Sequence, residues 1–128
     1  MSCTEAIKTI KELERIRNPS SKRDLAYLLL QLVPIGYTIT YKALAEALST
    51  SPRAVGAYMK SNKLPIIIPC HRVVRSDGSL GGYSVGGVRV KTKLLEIEGA
   101  IKNGKLVKVI KSFKELLDLA SKGDEIEV

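Results

Sequence analysis

Tryptophan is missing from this 128-residue chain, and phenylalanine, histidine and cysteine are scarce, at one, one and two residues. So few soft ligands cannot furnish a structural zinc site. Two cysteines make no disulfide framework, and a reducing cytoplasm is the expected compartment. Long apolar runs are lacking too. The longest, residues 25–35, is interrupted by Gln31 and Pro34 and cannot span a bilayer. The opening residues alternate charged and apolar side chains, so no signal-peptide core and no membrane partner are expected. Internal repeats and low-complexity tracts are absent as well.

The residues that are present describe one globular domain. Hydrophobic residues make up 45% and charged residues 27%, and the length suffices for a single core. The formal net charge is +8. Counted along the chain, residues 1–39 carry about +2, 40–91 about +6, 92–98 about −1 and 99–128 about +1. A positive field concentrated mid-chain suits a polyanionic partner with salt-sensitive affinity. A solvated lysine-rich surface accounts for the charge equally well.

Ile7, Ile10, Leu13 and Ile16 recur among charges and predict a helix over 4–17. Asn18-Pro19 ends it. Ser21 followed by Asp24 caps a second helix running through Leu32, stopped near Pro34-Ile35-Gly36. After a β-branched link, Thr38-Ile39-Thr40, a third helix spans 41–48. Ser51-Pro52 opens a fourth, ending near Lys60, because proline at the first helical position loses no needed donor. This pair has the outline of a helix-turn-helix, and Ala54, Gly56 and Ala57 would let its second helix approach another surface closely. Val73-Val74, Asp77-Gly78 and the glycines beyond predict a hairpin or wing. Lys91–Glu98 reads as a helix ended by Gly99. Lys105–Ile110 reads as a strand, and Ser112 with Glu115 as a capping box opening a helix over 112–121.

The chemistry concentrates in Pro65-Ile66-Ile67-Ile68-Pro69-Cys70-His71-Arg72. Three isoleucines between prolines predict a buried, rigid approach to a thiol, an imidazole and a guanidinium. A thiolate is a potent nucleophile, and nearby positive charge or a base favours it. Consecutive side chains diverge, so His71 is expected to reach the sulfur through a bridging water. On the residues alone, an inert buried cysteine beside a surface histidine stands as the other reading.

Ile68-Pro69-Cys70-His71-Arg72-Val73 resembles the signature of the O6-alkylguanine-DNA alkyltransferase family, in its C-terminal catalytic domain. Thr40-Tyr41, Leu44-Ala45, Arg53-Ala54-Val55-Gly56, Met59, Asn62, Pro65, Gly81, Tyr83-Ser84, Lys91, Leu94-Leu95 and Glu98-Gly99 fall in the family's order. The resemblance runs from Leu25 to Gly99. It implies a mainly α, winged-helix-like DNA-binding domain with a helix-turn-helix and a short hairpin or wing, to which the residues after Gly99 add a C-terminal strand–helix extension. It also implies a single transfer of an alkyl group from O6-alkylguanine to Cys70, without a cofactor or metal.

The resemblance also implies a role for each matching residue. Cys70 is the acceptor, His71 its base through water, and Glu98 the group that orients His71. Tyr41 donates toward the leaving purine and crowds the target phosphate. Asn62 is the hinge between the second helix of the hairpin and an active-site strand. Tyr83, Ser84, Val73 and Pro65 contact substrate. Arg53 fills the hole left by the flipped base, and Ala54, Gly56, Ala57, Tyr41 and Arg72 contact DNA in the minor groove. The implied partner is double-stranded DNA carrying the lesion, met by a monomer. Three other readings use part of the same pattern: a non-catalytic alkyltransferase-like lesion binder, a winged-helix regulator, and a cysteine hydrolase turning over on an acyl substrate.

Three departures from the family stand out. Residues 1–24 are too few for the N-terminal domain many members carry, which is expected to be absent or reduced. Residues 84–90 form a loop one residue longer than usual. Residues 100–128 align with nothing in the family, and the strand and helix expected there pack either on the domain, 25–99, or on another copy. Cys3 is expected to be a free thiol.

Overall fold

The computed structural model describes residues 21–127 and, of the segment before them, residues 4, 7, 8, 10, 11 and 13. The helix expected over 4–17 falls largely outside them, as does Cys3.

Helix α1, Lys22–Leu30, starts where Ser21 accepts a hydrogen bond from the Asp24 amide. Strand β1, Thr38–Thr40, leads straight into α2, Tyr41–Leu48, whose first turn is capped by the Thr40 hydroxyl. Ser49 takes a left-handed conformation, and within three residues Ser51 caps α3, Pro52–Lys60, with Pro52 in the first turn. Each start signal legible in the sequence is therefore satisfied by the bond it implies. A 3-10 turn, Cys70–Arg72, precedes β2, Val73–Val74, and α4 spans Gly87–Ile97. The chain continues as β3, Ile101–Lys102, β4, Lys105–Leu106, β5, Val109–Ile110, and α5, Phe113–Glu127.

The fold is mainly helical with a small sheet of order β2-β1-β5, all parallel. β1 is its centre, pairing Ile39 with Val73 on one side and with Ile110 on the other, and all three of its residues are buried. Tyr27, Leu30, Leu44, Leu48, Val55 and Ile68 pack around that strand to make the core. The Tyr27 hydroxyl donates to the Tyr58 carbonyl and so fastens α1 to the end of α3.

Several expectations give way. No returning strand follows Val73-Val74: β2 pairs in parallel with β1, and beyond it the Arg75 amide donates to the Ser79 carbonyl across a turn that no strand extends. Asp77-Gly78 does turn the chain, with the Asp77 carboxylate accepting from the Ser79 amide and hydroxyl. The carbonyls of Leu80 and Gly82, which a returning strand would need, instead accept from Lys91. The antiparallel hairpin lies later, between β3 and β4, around Asn103-Gly104 with both φ angles positive, 55° and 76°. That is the geometry a two-residue hairpin turn requires.

The strand expected over 105–110 is two strands in different sheets, since the Val107 amide still bonds the Ala100 carbonyl in register with the β3–β4 hairpin, whereas the Lys108 carbonyl accepts from the Thr38 amide of β1. α4 starts four residues earlier than expected, and α5 runs past Gly123. Ile97, the last residue of α4, is 77% exposed. Among the described residues no helix is long and apolar enough to cross a membrane.

The C-terminal segment completes the domain rather than trailing from it. β5 forms one edge of the central sheet, and Leu116 of α5 is fully buried in the core that α2 lines. Leu116→Ala should lower unfolding free energy by about 2–4 kcal/mol in a urea titration, the usual cost of a truncated core leucine. A loss under about 0.5 kcal/mol would show that α5 is not part of the cooperative core.

Candidate active site

Cys70 owes its place to the residues before it. The Cys70 amide donates back to the Ile68 carbonyl at 2.7 Å, with Pro69 between them at φ −79° and ψ 61°. That is an inverse γ-turn, for which proline's ring presets φ. The Ile68 carbonyl also accepts from Asn62 Nδ2 at 3.0 Å, while Asn62 Oδ1 accepts from the Leu64 amide at 2.9 Å. One buried amide side chain thus ties the end of α3 to the cysteine turn. Cys70 sits in a 3-10 turn, so the active-site strand expected to hold it begins only at Val73.

The isoleucine run is not buried as a unit. Ile68 is enclosed, whereas Ile66 and Ile67 are 60% and 53% exposed. Ile66 stands at φ 75°, a strained value for a β-branched residue.

Behind the cysteine lies a closed polar network. His71 is fully buried, and its Nε2 is 3.0 Å from both Glu98 oxygens. Arg72 grips the same carboxylate through Nε at 3.0 Å and NH2 at 2.8 Å, and its NH1 donates to the Val33 carbonyl at 3.0 Å. Burial pushes the Glu98 carboxyl up, but the hydrogen bonds from Arg72 and His71 outweigh it and hold it below its ordinary value. A carboxylate on Nε2 assigns the proton to that nitrogen and leaves the lone pair on Nδ1. Nδ1 is buried and meets no hydrogen-bonding group among the described residues. Burial lowers the His71 pKa below 6.5 despite the Glu98 contact, so the ring is neutral at pH 7.

Cys70 forms part of a cavity of about 940 Å³. Tyr41, Tyr83, Ser84 and Gly81 stand around it, and α3 contributes Arg53, Gly56 and Ala57. Gly81 has φ +74°, and a Cβ there would come within 3.0 Å of the Tyr41 hydroxyl, so glycine is what lets Tyr41 lie against this wall. Burial raises the Cys70 pKa, opposed by the Asn62 hydrogen bond and by Lys91. The sulfur is therefore a thiol at neutral pH, not the standing thiolate that its basic neighbours suggest.

The family profile described as "6-O-methylguanine DNA methyltransferase, DNA binding domain" matches residues 22–100. This chain belongs to that family. A methylated-DNA–protein-cysteine methyltransferase of Pyrobaculum aerophilum is 49% identical over 85% of this chain and 72% of its own length. A crystal structure of O6-methylguanine-DNA methyltransferase from Pyrococcus kodakaraensis is 52% identical with a TM-score of 0.56, covering 60% of this chain and 45% of that one. Mycobacterium tuberculosis OGT in complex with DNA is 34% identical with a TM-score of 0.59, covering 64% of this chain and 51% of that one. The chain thus spans about half the length of these two solved relatives.

In this member of the 6-O-methylguanine DNA methyltransferase family, the residues singled out by sequence fall into two layers. Tyr41, Arg53, Gly56, Ala57, Cys70, Tyr83 and Ser84 line the cavity. Asn62, His71 and Glu98 lie behind it as supports. Val73 is fully buried, and neither it nor Pro65 or Ala54 lines the cavity. Arg72, expected at DNA, is instead engaged by Glu98 and Val33, because its fork matches a carboxylate held beside it.

Lys91 takes on a role that the sequence does not assign to it. It is fully buried, its ammonium donating to the carbonyls of Val73, Leu80 and Gly82, and it lies 5.9 Å from the Tyr41 ring centroid. It holds the wall opposite α3 together. Burial brings its pKa down to about 8, with Cys70 acting to raise it and Arg75 to lower it further. A lysine within the apolar stripe of α4 is the available signal. Lys91→Met should raise the Cys70 pKa, read from the pH dependence of thiol alkylation by iodoacetamide. A curve superimposed on that of the parent protein would remove Lys91 from any influence on the sulfur.

Proposed function

We propose that this protein repairs O6-alkylguanine in double-stranded DNA by moving the alkyl group, methyl in the simplest case, onto Cys70 Sγ, once per molecule. The observation that carries this reading is a buried thiol on a cavity large enough to admit a nucleobase, with a neutral His71 held by Glu98. The division of the chain is proposed as a catalytic and DNA-binding unit, 25–99, flanked by extensions 1–24 and 100–128, working as a monomer in the cytoplasm.

The lesion lies inside a base pair, so the nucleotide must leave the stack at a cost of a few kcal/mol. In this reading α2 and α3 are a helix-turn-helix with α3 laid in the minor groove, and the turn at 75–79 takes the place of a wing. Arg53, exposed at the start of α3 and on the cavity rim, occupies the vacated stack. Gly56 and Ala57, small and on the same rim, admit the DNA backbone. The flipped guanine enters between Tyr41 and Tyr83, with Ser84 placed toward O6.

The reaction is an in-line displacement. A bond forms between Sγ and the alkyl carbon as the bond from that carbon to O6 breaks, its electron pair passing to the purine. The thiol proton moves through water to His71 Nδ1, and Glu98 with Arg72 stabilises the imidazolium formed. The Tyr41 hydroxyl, its pKa raised by burial and still protonated, donates toward the departing base. The product thioether is not reversed by thiol exchange, which attacks disulfides. The side chains supply nucleophile, base and donors, so no cofactor is called for.

Intact-protein mass after mixing with a duplex containing O6-methylguanine should show one methyl gained, at Cys70, with one equivalent repaired. Cys70→Ser should gain none yet still bind the duplex. An unmodified parent protein in excess lesion would sink the reading. Arg53→Ala should slow transfer from duplex about tenfold or more, and slow reaction with free O6-benzylguanine far less. Equal losses would withdraw the stack-filling role. Burial holds the His71 pKa below its ordinary value, so the base form predominates at neutral pH and is lost as the solution turns acid. The single-turnover rate should therefore drop in acid, and His71→Gln should abolish that drop.

A further inference from the structure

A second groove, of about 700 Å³, adjoins the first. The two share Arg75, Ser76 and Asp77, so one turn of chain separates them. Its far side is built by the β3–β4 hairpin and the segment leading into α5, including Gly104, Lys105 and Lys111. Those residues lie beyond the 22–100 span that the family profile matches. Residues 101–111 carry four lysines, at 102, 105, 108 and 111, and no acidic residue, whereas acids return in α5.

We propose that this groove grips the sugar-phosphate backbone of the same duplex beyond the lesion, with Lys105 and Lys111 each neutralising a phosphate. The inference rests on the DNA-repair reading above. Continuity through the Arg75–Asp77 turn is what favours DNA: a duplex on α3 that tracks the rim past Arg75 arrives at Lys105 and Lys111. Two acids also line the groove, and the balance stays positive, with Arg75, Lys105 and Lys111 against Asp77 and Glu96. The Asp77 carboxylate is engaged by the Ser79 amide and hydroxyl. Neither Lys105 nor Lys111 is ion-paired among the described residues, so both ammonium groups are available to phosphate. Gly78 and Gly104 mark the turns on either side of the groove, and a Cβ on either would meet nothing within 4 Å, which leaves the backbone open to close approach.

Each neutralised phosphate adds about 0.9 to the slope of log affinity against log salt. On a duplex long enough to cover both grooves, K105Q/K111Q should therefore show a slope shallower by about 1.8, and K105R/K111R should restore it. Thermal melting of each variant confirms the fold, and its rate with free O6-benzylguanine, which offers no phosphate, reports on the cavity. A slope equal to that of the parent protein overturns the proposal while the repair reading stands. A parent protein that neither binds nor repairs the duplex overturns both.

Discussion

The contact on which the site depends is the Glu98 carboxylate held by Arg72 and His71. It joins three parts of the chain at one point: the end of α4, the cysteine turn and, through the Val33 carbonyl, the exit of α1. A lone carboxylate enclosed here would resist ionising, and a lone guanidinium would be a costly buried charge. Together, with each donor directed at an oxygen, they form a rigid support. That support fixes the His71 ring and thereby decides which nitrogen carries a free lone pair. The tautomer is thus set by Glu98.

The backbone supplies the other half of the support. Asn62 and the Cys70 amide converge on one acceptor, the Ile68 carbonyl, so the end of α3 and the cysteine turn cannot shift independently. Lys91 plays the matching part on the opposite wall, gathering the carbonyls of Val73, Leu80 and Gly82 on a single ammonium. The cavity is therefore framed by an amide side chain on one side and a buried cation on the other. Each replaces backbone pairing that a sheet would otherwise provide, in a region whose only regular strand is two residues long.

Much of this is legible in the sequence where the information is local. The caps at Ser21, Thr40 and Ser51, the proline opening α3 and the capping pair Ser112–Glu115 each bond as their spacing implies. The features that escape it are non-local. Nothing in Val73-Val74 says that its partner is Thr38–Thr40 in parallel, and the glycines after Asp77 resemble a wing until Lys91 claims their carbonyls. The apolar alternation over 105–110 hides a change of partner between Val107 and Lys108. Arg72 reads as a DNA contact because an arginine beside a reactive cysteine has two possible anions, a phosphate or a carboxylate. Only the fold shows that Glu98 is nearer. Asn103-Gly104 is a hairpin signal in plain sight, masked by the glycine-rich stretch nearer the cysteine.

In the proposed repair reaction, the directions in which burial moves Cys70 and His71 suit a protein spent in a single event. Burial raises the Cys70 pKa and lowers that of His71, so at neutral pH the proton rests on sulfur and the imidazole stays neutral. A standing thiolate and imidazolium would be more reactive toward any small electrophile that entered, and each such encounter would consume the protein without repair. A neutral pair forgoes that reactivity until a substrate is seated. In that proposal the charge appears only as the sulfur attacks, with the Glu98–Arg72 support and the Tyr41 hydroxyl already positioned to stabilise it. Acceleration under those conditions comes from groups fixed in advance around charge that develops in the transition state, and little from activating the sulfur at rest. The depth of Cys70, which from sequence alone suggests an inert core thiol, is on this account what preserves its one equivalent for the lesion.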